Sequence, residues 1–221
     1  MTLAPNSDAT ATLRHAMVAS QLRTNGVNDP AVVAAMASVP REAFLPGSDP
    51  TLAYRDTSVP LGNGRAANPP IATGKLLVEA AVRPGERVLL LGAAGGYMAA
   101  LLARLGAEVV AVESDAALAQ HARHALTGIA NVTLVEAPMT AGAADKAPFD
   151  VLIVDGAVEQ LPDALVHQLR QGGRIVTGLL DRGVTRLAAG TRSGDSFGLI
   201  DFSDVECVPL AAFARPPAFA F

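Results

Sequence analysis

The stretch Arg87-Val88-Leu89-Leu90-Leu91-Gly92-Ala93-Ala94-Gly95-Gly96-Tyr97 decides the fold. Its apolar run, residues 88–91, is short, uninterrupted and closed by glycines, which predicts a strand buried on both faces. Glycines between a strand and a following helix let the backbone approach a ligand, with the helix N-terminus behind it. A nucleotide-like ligand is the natural expectation. Dinucleotide sites place glycines at the first, third and sixth positions of this turn. Here the third is Ala94 and the sixth is Tyr97, which argues against a nicotinamide cofactor.

Outward from this turn, strand and helix alternate. Apolar runs at 108–113, 132–136, 151–155 and 174–179 are separated by helical stretches beginning near Gly96, Asp115 and Leu161. A helix over 73–81 and a Pro84-Gly85 turn precede the first run. Such strands joined by crossover helices predict an α/β fold with a parallel sheet. Beyond Arg182 the helical spacing stops, and 185–189 with 197–208, hinged at 192–195, predict an antiparallel pair. Upstream, Leu13, Met17, Val18 and Leu22 mark a first helix closed by Gly26. Asp29-Pro30 is an N-cap with proline at the first helical position, starting a second helix that Pro40 ends. From Arg41 to Pro70 neither period holds, so this segment reads as an irregular loop folded over something. The expected organisation is one domain over 1–221, with helices and a covering loop in 1–70 and the ligand-binding α/β core in 71–221.

Composition narrows the function. The 221 residues are 50% hydrophobic and 17% charged, with a formal net charge of −4. The basic residues are scattered singly, so no nucleic-acid partner is expected. No targeting segment or membrane-length apolar run stands out, which predicts a cytoplasmic protein. The single cysteine, Cys207, has no disulfide partner and reads as a strand residue. The histidines His15, His121, His124 and His167 lie among polar helical neighbours without a ligand pattern, so no metal is expected.

The second strand ends in Val112-Glu113-Ser114, roughly 20 residues after the glycines, and an acid at that tip accepts hydrogen bonds from both hydroxyls of a ribose. Glu113 is therefore the leading binding residue. Asp155, at the end of the fourth strand, falls beside the same place.

Longer motifs point to a family. Met17-Val18-x-x-Gln21-Leu22-Arg23-x-x-Gly26-Val27-x-Asp29-Pro30, then Ala35-Met36-x-x-Val39-Pro40-Arg41-x-x-Phe44-x-Pro46 and Ala53-Tyr54-x-Asp56, resemble the opening of the protein-L-isoaspartate O-methyltransferases. The likeness continues through Pro60-Leu61-Gly62-x-Gly64, Gly96-Tyr97, Pro148-Phe149-Asp150, Gly172-Gly173-Arg174 and Val208-Pro209-Leu210. It implies a Rossmann-like class I methyltransferase: a mostly parallel seven-stranded sheet, helices on both faces and a C-terminal antiparallel pair. The implied cofactor is S-adenosyl-L-methionine, bound by Gly92, Ala94, Gly95, Gly96, Tyr97, Glu113, Ser114 and Asp155. The implied partner is a protein or peptide carrying an isoaspartyl residue, met by Asn68 and Asp56. The chain departs from the family pattern at three places: Asn68 replaces a serine, Leu90 an acid, and Ala137-Pro138-Met139 a Gly-Asp-Gly. Those departures also motivate two other readings, a catalytically retired cofactor-binding or interaction module and a methyltransferase for a different carboxylate. Oligomeric state and the role of the aromatic C-terminus, including Phe219 and Phe221, stay open.

Overall fold

The computed structural model describes residues 7–215. Phe219 and Phe221 lie outside the described residues. Helix α1, Ser7–Met17, runs on through a π-helical turn, Val18–Leu22, and a 3-10 turn, Arg23–Asn25, to Gly26, whose φ of 86° ends it in the left-handed region. Helix α2, Pro30–Ser38, starts on Asp29, whose carboxylate accepts from the backbone N–H of Ala31 and Val32 at 2.9 and 3.0 Å.

The segment expected to be an irregular loop contains ordered pieces. Two 3-10 turns, Arg41–Phe44 and Pro50–Tyr54, lead into a hairpin of β1, Val59–Gly62, and β2, Arg65–Ala67. Its turn is Asn63-Gly64, with φ of 50° and 71°. This pair permits the tight two-residue turn that matches strand twist. The strands are too short for alternation to show in sequence, which is why the period test missed them. Helix α3, Pro70–Ala80, follows and begins three residues earlier than expected.

The main sheet comprises β3 Arg87–Leu91, β4 Glu108–Glu113, β5 Val132–Glu136, β6 Phe149–Val158, β7 Leu169–Asp181, β8 Val184–Ser193 and β9 Ser196–Ser203, in the spatial order β5-β4-β3-β6-β7-β8-β9. Strands β3 to β7 pair in parallel, and β8 and β9 add antiparallel edges. After β3 the chain steps outward to β4 and β5, then returns to β6 on the other side of β3. Diverging connections of this kind leave a crevice beyond the C-terminal ends of β3, β4 and β6, where ligands bind in open α/β sheets. The glycine turn, Glu113 and Asp155 all reach it.

Side-chain alternation on β3 serves two cores. Val88 and Leu90 pack into one with α2, α3 and helix α4, Tyr97–Arg104, while Leu89 and Leu91 pack into another with Phe149, Leu165 and Phe213. Helix α5, Ala116–Ala125, joins the first core through Ala122. The second face is covered thinly. The helix expected near Leu161 is a single turn, α6 Asp163–Val166, because Pro162 sets its start and β7 already begins at Leu169. Short 3-10 turns at Met139–Ala141 and Ala211–Phe213 complete the cover.

The last strand also ends early, at Ser203. The chain then crosses to β6, where Ala157 N–H donates to Val208 O at 2.7 Å and Leu210 N–H donates to Ala157 O at 2.9 Å. Cys207 therefore lies in this crossing and not in a strand. It is fully buried, and burial raises its thiol pKa, which leaves it unreactive.

Leu90, fully buried on the helix-covered face, has become a packing residue. Leu90→Ala is expected to lower stability by about 2–5 kcal/mol, measured by equilibrium urea unfolding.

Candidate active site

The site is built from the ends of three neighbouring strands. At the end of β3 the backbone turns sharply: Gly92 and Ala93 N–H both donate to Val112 O, at 3.0 and 3.1 Å, tying the glycine corner to the tip of β4. Gly92 and Gly96 have φ of 77° and 100°, and Ala94 takes the left-handed region at 49°. An alanine there tolerates a conformation that glycine adopts without strain.

Glu113 sits at the centre with no exposed surface. Its Oε2 accepts from Ala94 N–H at 2.7 Å, and its Oε1 accepts from Ser114 and Asp115 N–H at 2.8 and 2.9 Å. Arg65, from the first position of β2, completes the set with Nη1 on Oε1 at 2.5 Å and Nη2 on Oε2 at 3.0 Å. A buried carboxylate is tolerable only when its lone pairs are filled, and these five donors fill them. The hairpin is held at this point by its tip, where Asn63 Nδ2 donates to Asp115 Oδ2 at 2.8 Å. Asp115 in turn caps α5 through Leu118 N–H at 3.0 Å.

A second buried network lies on the β6 side. Asn68 amide Nδ2 donates to Asp155 Oδ1 at 2.6 Å, its Oδ1 accepts from Val208 N–H at 2.7 Å, and its backbone carbonyl accepts from Arg41 Nη2 at 2.6 Å. Desolvation pushes the Asp155 carboxyl above the usual carboxylate range, against the opposing pull of the Asn68 hydrogen bond and the Arg41 charge. Arg41 is almost wholly buried, and its pKa is lowered by that burial; its guanidinium lies 5.1 Å from the centre of the Tyr97 ring. Burial also raises the Tyr97 hydroxyl to about 12. Among the described residues, the Nε of Arg41 and the hydroxyl of Tyr97 are both buried without a hydrogen-bond partner.

The expected residues divide. The Ala94 and Ser114 amides meet on Glu113 with Gly92 next to Arg65, Gly96 backs onto Ala122 and Leu126, and Asn68 meets Asp155 beside them. Gly95 answers to packing: a Cβ there would lie 1.9 Å from the Phe44 carbonyl oxygen, so only glycine lets the 41–44 turn cross the corner. Tyr97 packs against Phe44, ring centres 5.9 Å apart, with its ring turned into protein. Asp56 is engaged elsewhere, its Oδ1 accepting from Ile71 N–H at 3.0 Å in the first turn of α3. That end of the helix has Pro69 at its N-cap and no side-chain cap of its own. Two residues were missed. Arg65 carries one faint sequence signal, a lone cation in the loop facing an acid that must be buried. Arg41 lies within the quoted Val39-Pro40-Arg41 motif, but nothing local marks a buried cation.

Comparison with known proteins fits this arrangement. Residues 13–213 match the family model described as protein-L-isoaspartate(D-aspartate) O-methyltransferase. The chain belongs to this family. Among curated members, a protein-L-isoaspartate O-methyltransferase of Methylorubrum extorquens (strain PA1) is 41% identical over 199 residues, spanning 89% of this chain and 87% of the relative. One from Methanospirillum hungatei JF-1 is 35% identical over 201 residues, spanning 90% and 93%. A solved protein-L-isoaspartate O-methyltransferase shares the fold with a TM-score of 0.79 at 22% identity, covering 93% of this chain and 67% of the other. A Plasmodium falciparum protein described as a member of the same family, in complex with S-adenosyl-L-homocysteine, gives 0.76 at 19% identity, covering 90% and 98%. The solved structures support the fold, and the family membership rests on the sequence matches.

Two outcomes follow from the geometry. Gly95→Ala, whose methyl meets a backbone carbonyl that cannot turn aside, is expected to cost about 3 kcal/mol in urea unfolding. The Asp155 carboxyl is expected to titrate above its ordinary value of 3.8 in a carbon-detected NMR titration. Since its folded pKa is raised, ionisation opposes folding, and this group's contribution to stability declines as pH rises from 3.8 through the folded value.

Proposed function

We propose that the chain transfers a methyl group from S-adenosyl-L-methionine to the free carboxylate of an isoaspartyl residue in a damaged protein or peptide. Membership of the methyltransferase family supports the reaction class. The observation that carries the cofactor assignment is Glu113, a buried acid at the tip of β4 that already accepts from a two-pronged donor. The adjacent hydroxyls of a ribose offer the same pair of donors, so the residues fit the group. Gly92, Ala94, Gly96 and Ser114 would form the rest of the cofactor wall, with Gly95 and Tyr97 packed behind it and Asp155 at its edge. When bound, S-adenosylmethionine supplies the electrophilic methyl carbon on a sulfonium.

The residues of the chain have little acid–base work to do. A carboxylate with a reference pKa near 4 is already an anionic nucleophile at neutral pH, so no general base is required. What they supply is placement and exclusion of water. The hairpin β1–β2 and Asn68 lie over the crevice, and the Asn68 side chain joins this cover to β6 and to the 207–210 crossing. Asp155 holds Asn68 from the sheet side, and Arg41 holds its backbone carbonyl. Asp56 acts at a distance, by fixing the start of α3 behind the cover. Burying Arg41 beneath the same loop places a positive charge near where an anionic substrate would approach. The protein substrate would reach the site from the hairpin side.

A methyl-transfer assay with labelled S-adenosylmethionine, run on an isoaspartyl peptide beside its normal aspartyl twin, tests this reading. Methylation of the isoaspartyl peptide at least about tenfold faster is expected, a discrimination of about 1.4 kcal/mol; equal rates on both would rule out the repair substrate. Glu113→Ala is expected to weaken S-adenosylhomocysteine binding by about tenfold or more in calorimetry, as a charge-assisted acceptor is lost.

A further inference from the structure

We propose that Arg65 is itself part of the cofactor site, as an occupant that holds the ribose-binding face of Glu113 and is displaced when the cofactor enters. The inference rests on the cofactor assignment made above and concerns how the site is filled in its absence.

Glu113 has no surface exposed to water, and three of its hydrogen bonds come from the fixed amides of Ala94, Ser114 and Asp115. Oε1 already accepts from two of those amides and shares its lone pairs with Arg65 Nη1 at 2.5 Å, while the position left over on Oε2 is taken by Arg65 Nη2 at 3.0 Å. A diol cannot use Glu113 while the guanidinium is there. Arg65 also stands over the glycine corner. A methyl placed on Gly92 would lie 3.7 Å from Arg65 Nη2, beside Met139 Sδ at 3.6 Å and Leu210 Cδ1 at 3.2 Å. The guanidinium thus fills volume as well as hydrogen-bonding capacity.

The structure also makes Arg65 easy to release. Among the described residues its guanidinium hydrogen-bonds to Glu113 alone, with Asp115 and Asp155 acting on it only through their charge, and its Nε is buried without a partner. It is the first residue after the Asn63-Gly64 turn, and Gly62, Asn63 and Gly64 are all exposed. A long flexible side chain at a hairpin end can swing into solvent without disturbing either core. An unpaired buried Nε is a cost that such a swing relieves. The hydroxyls that replace it are neutral donors, weaker than a guanidinium on a carboxylate. Part of the cofactor's binding energy is then spent on the exchange, and affinity is lower than the site alone would give. The exchange also sets a cation free on the segment leading to Asn68, on the side from which a carboxylate substrate arrives.

Calorimetry with S-adenosylhomocysteine on the full-length protein tests this, comparing wild type with Arg65→Gln and Arg65→Lys. Arg65→Gln removes the charge but keeps a polar chain, and Glu113 retains its three amides, so folding should survive. Binding about tenfold tighter in Arg65→Gln, with Arg65→Lys between it and wild type, is the expected result. A readout on the unaltered protein accompanies it. The Arg65 Nε–H resonance, identified by its absence in Arg65→Lys, should be lost or shift to a solvent-exposed position when S-adenosylhomocysteine is added. Wild type and Arg65→Gln binding equally well, or Arg65→Gln binding more weakly, overturns displacement while leaving the cofactor assignment intact. No heat from either protein at high micromolar ligand overturns both.

Discussion

The burial of one carboxylate organises this molecule. Glu113 lies at the tip of a central strand with no access to water, and a charge in that position needs hydrogen bonds in place of the lost hydration. Three amides supply them locally: two from the start of the next connection and one from the glycine corner. Where Ala94 presents its N–H to Glu113, the backbone after β3 takes left-handed conformations at Gly92, Ala94 and Gly96. The carboxylate also draws in a donor from 48 residues upstream, Arg65 of the hairpin whose tip Asn63 ties to Asp115.

Around that centre, charges are set in pairs across elements distant in sequence. Asn68 bridges Asp155 and the backbone of Val208, and Arg41 closes on the carbonyl of Asn68. Desolvation disfavours the ionised form of Asp155 and the charged form of Arg41, and each is partly compensated by the other's field. To the apolar packing of Phe44, Leu45, Val59 and Ala67 in the first core, the covering segment therefore adds polar contacts at the sheet. Such contacts hold geometry while leaving room for exchange with ligand groups. A cleft of about 660 Å³ between Val39–Phe44 and Ala125–Asn131 lies on the other side of the 41–44 turn and contains none of this chemistry.

The departures from the family pattern have a common physical sense. Leu90 is absorbed into the helix-covered core, and Met139 into the opposite one, so a position where the resemblance places an acid and one where it places a glycine now contribute packing. Asn68 keeps hydrogen-bonding capacity at its position but uses both ends of its amide within the protein.

The class of fold was legible in the sequence because parallel strands buried on both faces must be uniformly apolar, and residues 88–91 and 108–113 were read correctly for that reason. The glycine corner and Glu113 were legible too, since a tight turn and a strand-tip acid are local demands on residue type. The one-turn helix α6, the early end of β9 and the place of Cys207 were not, because each is set by which distant backbone competes for the same hydrogen bonds. The hairpin had a local signature, Asn63-Gly64, but strands of three and four residues are too brief for a period. Gly95 was expected at the cofactor, and its lack of a side chain serves the close passage of Phe44. Which cation meets Glu113, which amide meets Asp155 and which helix Asp56 caps were decided only in three dimensions. Charge pairing depends on distance in space, and a chain written in one dimension does not carry it.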